Sequence, residues 1–412
     1  MHTTILSLAL LLSAVVAGTG VASAQQLASS APKTFAEDLQ FLDSHGKKPI
    51  VLSDGDAVVA VLPALQGRIM TSTSGGNGGP SFGWINRELI ASGEVAKHIN
   101  AFGGEDRLWL GPEGGQFSIF FAPKTKFDLE HWFTPAPFDT EAFDLVSQTG
   151  NRVVLRKDFH LTNYSGTKFD VRIDRDLLLL PAADVWKDLG VDAVAGLKIV
   201  GFESINRLTN AGQKPWKKGT GLLSLWSMGM FNASPAATIL VPIKAGSDAE
   251  LGTPVTSDYF GQVPPDRLKL QDNVVYFKAD AKYRSKIGIS PRRAKPTFGS
   301  YDAANHVLTL IQYSLPSDDT DYVNSAWKIQ EHPYAGDVVN SYNDGPPPSG
   351  GKQLGHFYEL ETSSPAAELV PGHFIDHLHR TIHLQGDPAE LEKVSLATLG
   401  VHLNEIPFAG TH

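Results

Sequence analysis

The chain has 412 residues, 42% of them hydrophobic and 19% charged, with a formal net charge of −9 and no cysteine. This composition describes a folded globular chain and excludes extended disorder, a nucleic-acid-binding surface, disulfides, thiolate metal sites and a cysteine lipid anchor. Two or three ordinary domains would fit the length, but all-β architectures also run this long as one.

In chain order, Ile5 to Val16 form an apolar run followed by Gly18 to Gly20 and the small-residue site Ala22-Ser23-Ala24 before Gln25. That pattern predicts a cleaved signal peptide over 1–24 and a periplasmic or secreted protein. Residues 25–48 form a lead-in, polar over Gln25 to Lys33, with one short helix expected over Thr34 to His45. From 49 to 412 a single β domain is expected. No later run approaches the roughly 20 apolar residues that span a bilayer, so no membrane partner is expected once the signal is cleaved.

Alternation marks the strands. Val153, Leu155, Phe159 and Leu161 alternate with polar neighbours, Asn163 to Thr167 turn the chain, and Phe169, Val171 and Ile173 alternate again. This is a hairpin with one buried face. Further strands are readable near Ser204 to Asn210, Thr238 to Ile243, Val274 to Ala279 and Val307 to Tyr313. The 39 glycines and 26 prolines punctuate them without a long repeat, and the Pro- and Gly-rich stretch 344–352 reads as a surface loop. Many short strands and few short helices predict an all-β sandwich or barrel class, built at this length of large stacked antiparallel sheets.

The most informative stretch is 355–386. Side chains alternate across a strand, so Phe357, Glu359 and Glu361 share one face and aim two carboxylates at one surface. A Pro371-Gly372 turn leads to a second strand in which His373, His377, His379 and His383 share a face. They span roughly 33 Å, too far to converge on one ion. Only His377 and His379 have a metal-compatible spacing, and no metal site is expected.

Leu360-Glu361, Pro365, Pro371-Gly372 and His377 resemble the closing segment of galactose mutarotases (aldose 1-epimerases). Pro63 to Ile69 resembles their opening strand and Gly-Arg-Ile turn, with Gln66 in place of one glycine of the usual pair. Segments such as GGEDRLWLGPEGG, SLWSMGMFNASPA and VNSYNDGP look like an uncharacterised secreted bacterial branch of that superfamily. The resemblance implies the superfamily's β-supersandwich, a carbohydrate partner, no cofactor and Glu361 as catalytic base. It also exposes a departure, because the family's acidic histidine has no counterpart: one alignment places Gly221 to Trp226 there and another places Tyr164. His98, His131, His332 and Tyr164 are the alternative partners, and a histidine is preferred because a tyrosine is a poor acid at neutral pH.

Two further segments carry candidate sugar-binding groups. The first offers Glu105, Arg107, Trp109 and Glu113 among glycines, and the second offers Trp327, His332, Asn340, Tyr342, Asn343 and Asp344 in a loop-like context. Aromatic rings stack on sugar CH faces, while amides and carboxylates take the hydroxyls. Arg68, in the opening motif, and Glu359, beside Glu361, join this set. A structural calcium is conceivable near Asp337, Asn343 and Asp344 as hard oxygen ligands. The cationic stretch Lys282, Arg284, Lys286, Arg292, Arg293 and Lys295 suits either a solvated strand or an anionic sugar. Several readings stay open: a monomeric carbohydrate-processing enzyme of epimerase type, a lyase acting on an acidic sugar, and a noncatalytic carbohydrate-binding protein.

Overall fold

Thr34 starts the first helix with a reciprocal cap: its hydroxyl accepts from the Glu37 N–H at 3.3 Å, and the Glu37 carboxylate accepts from the Thr34 N–H at 2.8 Å. The structure is a computed structural model that describes residues 33–318, 320–347, 350 and 352–408; the expected signal peptide lies outside them. Helix Phe35–Ser44 is followed by the antiparallel strands Ile50–Asp54, Ala57–Leu62 and Arg68–Thr73, which form a three-stranded sheet. At the turn before Arg68 both Gln66 and Gly67 are left-handed, with φ of 58° and 67°. Gln66 is held there by hydrogen bonds from its Nε2 to the Glu141 carbonyl at 2.7 Å and to its Oε1 from Arg68 Nη2 at 3.1 Å. Gly67 cannot be replaced so easily, because a Cβ would lie 2.1 Å from Leu155 Cδ1.

Two larger antiparallel sheets stack on each other. The ten-stranded sheet runs, edge to edge, Leu268–Gln271, Val274–Lys278, Ala237–Pro242, Thr297–Asp302, Val307–Tyr313, Phe374–Gln385, Lys198–Asn210, Lys168–Leu180, Arg152–Thr162 and Asp144–Gln148. The five-stranded sheet runs Ser285–Ile289, Val339–Asn343, Phe357–Ser363, Ser224–Asn232 and Arg107–Gly111. Between their facing sides lies a core that includes Phe231, Ile239, Phe277, Ile287, Phe298, Val339 and Leu360. The three-stranded sheet adjoins the edge of the five-stranded one, where the Ile69 N–H donates to the Asp106 carbonyl at 3.0 Å.

Helices Ala182–Leu189 and Pro388–Leu399 cover part of the back of the ten-stranded sheet, burying Val185, Leu189, Leu391 and Val394 against Leu240, Leu308, Leu310 and Ile382. The uncovered part carries cross-strand ion pairs, among them Arg156 with Asp174 at 2.6 Å and Arg172 with Asp158 at 2.8 Å. Being exposed, these add little stability each. No described helix is long and apolar enough to cross a membrane.

The interior is not wholly apolar. Arg175 and Asp106 pair with both side chains fully buried, and His383 joins Glu105 at 2.8 Å and Thr309 at 2.8 Å. Beside them the Thr362 hydroxyl lies 2.8 Å from both His377 Nε2 and His379 Nδ1. His377, His379 and His383 are therefore internal architecture, while His373 is exposed at the turn before the strand, and no group of three His, Cys, Asp or Glu among the described residues is arranged to hold a metal ion.

Candidate functional site

Strand register assembles one chemically dense surface. Glu361 pairs with Met228 on one side and Asn340 on the other, and Glu359 pairs with Met230 and Tyr342. Arg107 lies opposite Met228, Trp109 opposite Trp226, and Lys286 opposite Tyr342. Directly paired residues point to the same side of a sheet. The outward face of the five-stranded sheet thus presents Arg107, Trp109, Trp226, Glu359, Glu361, Asn340, Tyr342 and Lys286 together, while Tyr358, Leu360 and Thr362 turn into the core.

Charges on this face are matched. Arg107 bonds Glu359, and its guanidinium lies 4.7 Å from the Trp109 ring. Glu361, fully buried, accepts from Trp226 Nε1 at 2.9 Å and from Lys286 Nζ at 2.9 Å, both on Oε2. Its Oε1 has no protein partner. Burial works against the charge of Lys286, yet Glu361 and Glu113 hold its pKa above the ordinary lysine value. Burial pushes the Glu113 carboxyl up to about 6, against the pull of Lys286 and a hydrogen bond from Trp327, with Glu361 and Glu359 adding to the rise. Glu359 is also raised, by burial first, with Arg107 opposing and Glu361 adding.

Loops build the walls. Gly114 allows the turn after strand Arg107–Gly111 to touch the backbone of 325–326, since a Cβ there would lie 2.5 Å from the Ala326 carbonyl oxygen. The Gln116 side chain then pairs with the Gln330 backbone, its Nε2 donating to the carbonyl and its Oε1 accepting from the N–H, each at 2.9 Å. This brings Glu113 beside Trp327, which stacks on Trp132 at 5.8 Å; Trp132 in turn lies 6.2 Å from Trp109. On the opposite side the Tyr259 ring sits 5.8 Å from Lys286 Nζ. Its hydroxyl donates to Asp337 and accepts from Asn340 Nδ2 at 3.0 Å. Burial and the neighbouring Asp337 carboxylate keep the Tyr259 pKa well above the usual value, so this phenol stays protonated. Gly288 makes room for the pair, because a Cβ would lie 2.1 Å from Asp337 Oδ2 and 2.6 Å from the Tyr259 oxygen.

Of the residues expected from sequence, Glu361, Glu359, Arg107, Trp109, Glu113, Trp327, Asn340 and Tyr342 come together here. The others do not. Glu105 is turned inward to Ser72 and His383. Arg68 is buried against Gln66 and the Gly103 carbonyl, where burial lowers its pKa to about 9. Asn343 Oδ1 accepts from the Ala281 N–H, and Asp344 accepts from Tyr342 and the Gly355 N–H. With Asp337 engaged by Tyr259, each of the three residues weighed as calcium ligands accepts a hydrogen bond from the protein. His98 Nδ1 meets the Trp132 carbonyl at 2.6 Å, His131 pairs with Asp128, the Tyr164 hydroxyl donates to the Thr125 carbonyl, and His332 is exposed. None of these four is bonded to Glu361.

Sequence reasoning missed Trp226 and Tyr259 and gave Lys286 no place at Glu361. Trp226 falls where one alignment puts the family's histidine, and it donates to Glu361 itself. Its alternation with Met228 and Met230 was readable, but the sheet face it shares depends on a partner strand more than a hundred residues away. Tyr259 lies in a stretch without periodicity and leaves no signal.

Solved structures similar to this chain include galactose mutarotase-like proteins. A putative aldose 1-epimerase from Escherichia coli K12 is 12% identical, with a TM-score of 0.50 over 83% of this chain and 100% of that one. A galactose mutarotase-like protein from Lactobacillus casei ATCC 334 is 12% identical, with a TM-score of 0.45 over 82% and 100%. A putative mutarotase (YeaD) from Salmonella typhimurium is 11% identical, with a TM-score of 0.46 over 82% and 90%. No curated protein matches the chain. At such identity the likeness speaks for the fold alone. A family model covers residues 33–409, and the chain therefore belongs to the family of unknown function DUF6786, on a galactose mutarotase-like sandwich.

Proposed function

We propose that the outward face of the five-stranded sheet binds a carbohydrate and moves a proton on it, with Glu361 as base and Glu113 as acid. The observation that carries this reading is the convergence of three carboxylates and two cations on one tryptophan-lined surface. Lys286 and Trp226 both engage Oε2 of Glu361, and Oε1 is left to accept a proton. Glu113, with a pKa of about 6, still carries a proton on a useful fraction of molecules near neutral pH. A carboxyl that keeps its proton near neutral pH suits the role of acid, and a carboxylate oxygen without a protein partner suits that of base. In an epimerisation Glu361 takes the proton of the anomeric hydroxyl, Glu113 protonates the ring oxygen, the ring opens, and reclosure on the other face reverses both transfers. Glu113 thereby takes the part for which the sequence offers no histidine.

The test is anomer exchange followed by NMR. Glu361→Gln is expected to abolish exchange while sugar binding persists. Wild-type exchange should fall as pH rises through about 6, the range in which Glu113 loses its proton, and Glu113→Gln should slow exchange at every pH and leave the residual rate without that alkaline limb. Exchange by Glu361→Gln at the wild-type rate refutes the assignment of the base. One observation favours a second reading, a noncatalytic binding protein: Glu361 is fully buried and Glu359 and Glu361 are both ion-paired. Sugar binding without exchange in the wild type supports that reading instead.

A further inference from the structure

We infer that the sugar taken by this site carries an anionic substituent, a carboxylate or a sulfate, and that Arg284 is the residue that reads it. This inference rests on the proposed carbohydrate site and adds the class of sugar. Arg107 is occupied by Glu359, and Lys286 by Glu361. Arg284 differs. It is half-buried, its guanidinium lies 5.1 Å from the Phe260 ring and 5.9 Å from the Tyr342 ring, and it makes no hydrogen bond or ion pair with any described residue. Its Nε is buried without a protein acceptor. Arg284 acts electrostatically on Asp344, whose carboxylate oxygens are already taken by the Tyr342 hydroxyl and the Gly355 N–H.

A half-buried guanidinium that makes no direct ion pair has donors left to satisfy, and an incoming anion satisfies them. The fixed planar fork of arginine suits the paired oxygens of carboxylate and sulfate. Position agrees with the chemistry. Arg284 immediately precedes strand Ser285–Ile289, two residues before Lys286, so extended chain separates them by at most about 7 Å, the scale of one sugar ring with its exocyclic group. Tyr342, which Arg284 approaches, is the direct cross-strand neighbour of Glu359. Phe260, 44% exposed, supplies a ring at the rim. Most of the surrounding buried polar atoms without protein partners are biased the same way: Arg107 Nε, Trp109 Nε1, Trp132 Nε1 and Arg284 Nε are donors, Glu361 Oε1 is an acceptor, and the Ser224 hydroxyl on the same face can serve as either. Such a lining calls for a ligand rich in acceptors. Of the three carboxylates on this surface, Glu359 and Glu361 are neutralised by Arg107 and Lys286, which leaves Glu113, when ionised, as the one that repels an anion.

The experiment is calorimetric titration of the whole protein with galacturonate, glucuronate, galactose 6-sulfate, galactose and glucose. Wild type should prefer one of the anionic sugars, carboxylate and sulfate being distinguished by which binds more tightly, and that preference should weaken at high salt. Arg284→Gln should cost about tenfold or more in affinity for the anionic sugar, the size of a lost charge-assisted hydrogen bond, and leave neutral sugars unchanged. Arg284→Lys, which keeps the charge without the fork, should fall between them and guards against misfolding of the first variant. Equal binding of neutral and anionic sugars, or an Arg284→Gln variant that keeps the anionic preference, overturns this inference while leaving the carbohydrate site standing. Failure of every sugar to bind overturns both.

Discussion

Lys286 shows how a single side chain sets the chemistry around it. Its ammonium bonds Glu361, lies 4.8 Å from the Trp226 ring and lowers the pKa of Glu113. Methionine at this position keeps much of the volume and removes the charge. Lys286→Met should destabilise the protein by about 3 kcal/mol or more, read by urea unfolding, because it strands a buried carboxylate. It should also move the alkaline limb assigned to Glu113 upward, since burial would then act without the opposing cation. An unshifted limb would separate Lys286 from Glu113. Glu359 and Glu361 were legible in the sequence because period-two alternation is a local property. Their counter-charges were not, because Arg107 and Lys286 come from other strands and only register brings them opposite.

At the scale of the element, glycines decide how closely loops approach the site sheet. Gly288 sits on edge strand Ser285–Ile289 under the Tyr259–Asp337 pair. Gly288→Ala should cost about 1–3 kcal/mol, as overpacking does, and drive the tyrosine from its carboxylate. Thermal unfolding together with near-ultraviolet circular dichroism of tyrosine checks both effects, and an unchanged spectrum would mean that the pair moves as a unit. Strands with one solvated face were the most legible, Arg152–Thr162 and Lys168–Leu180 above all. The second runs well beyond the alternation read over Phe169 to Ile173. Its end is leucine-rich because helix Ala182–Leu189 shelters the back of the sheet there, and a strand covered on both faces loses its alternation. Helix Pro388–Leu399 went unread despite an N-cap Asp387, a first-turn proline and a left-handed Gly400.

For the whole molecule the polar seam between the sheets sets the response to acid. Burial lowers the pKa of His377 to about 3 and of His379 to about 4, from an ordinary value of 6.5. As pH falls through 6.5 the unfolded chain binds two protons that the folded protein refuses. The stability this pair contributes is complete above pH 6.5 and is lost on acidification until the folded values are reached. The loss approaches about 3 kcal/mol per pH unit near pH 5. Urea unfolding from pH 7 to pH 4.5 should show that slope reduced in a His377→Gln, His379→Gln double variant, and equal slopes would contradict the account. The sandwich itself was legible from strand density and the closing motif, whereas the seam was not, because histidines on a strand carry no mark of which sheet face will be buried. Thr362 imposes one more condition. A hydroxyl has a single proton and here stands equidistant between two neutral imidazoles, so it cannot donate to both, and at least one ring must hold its hydrogen on the nitrogen facing Thr362. His377 and His379 are therefore not free to choose tautomers independently: whichever ring accepts the Thr362 hydrogen obliges the other to donate to the same oxygen.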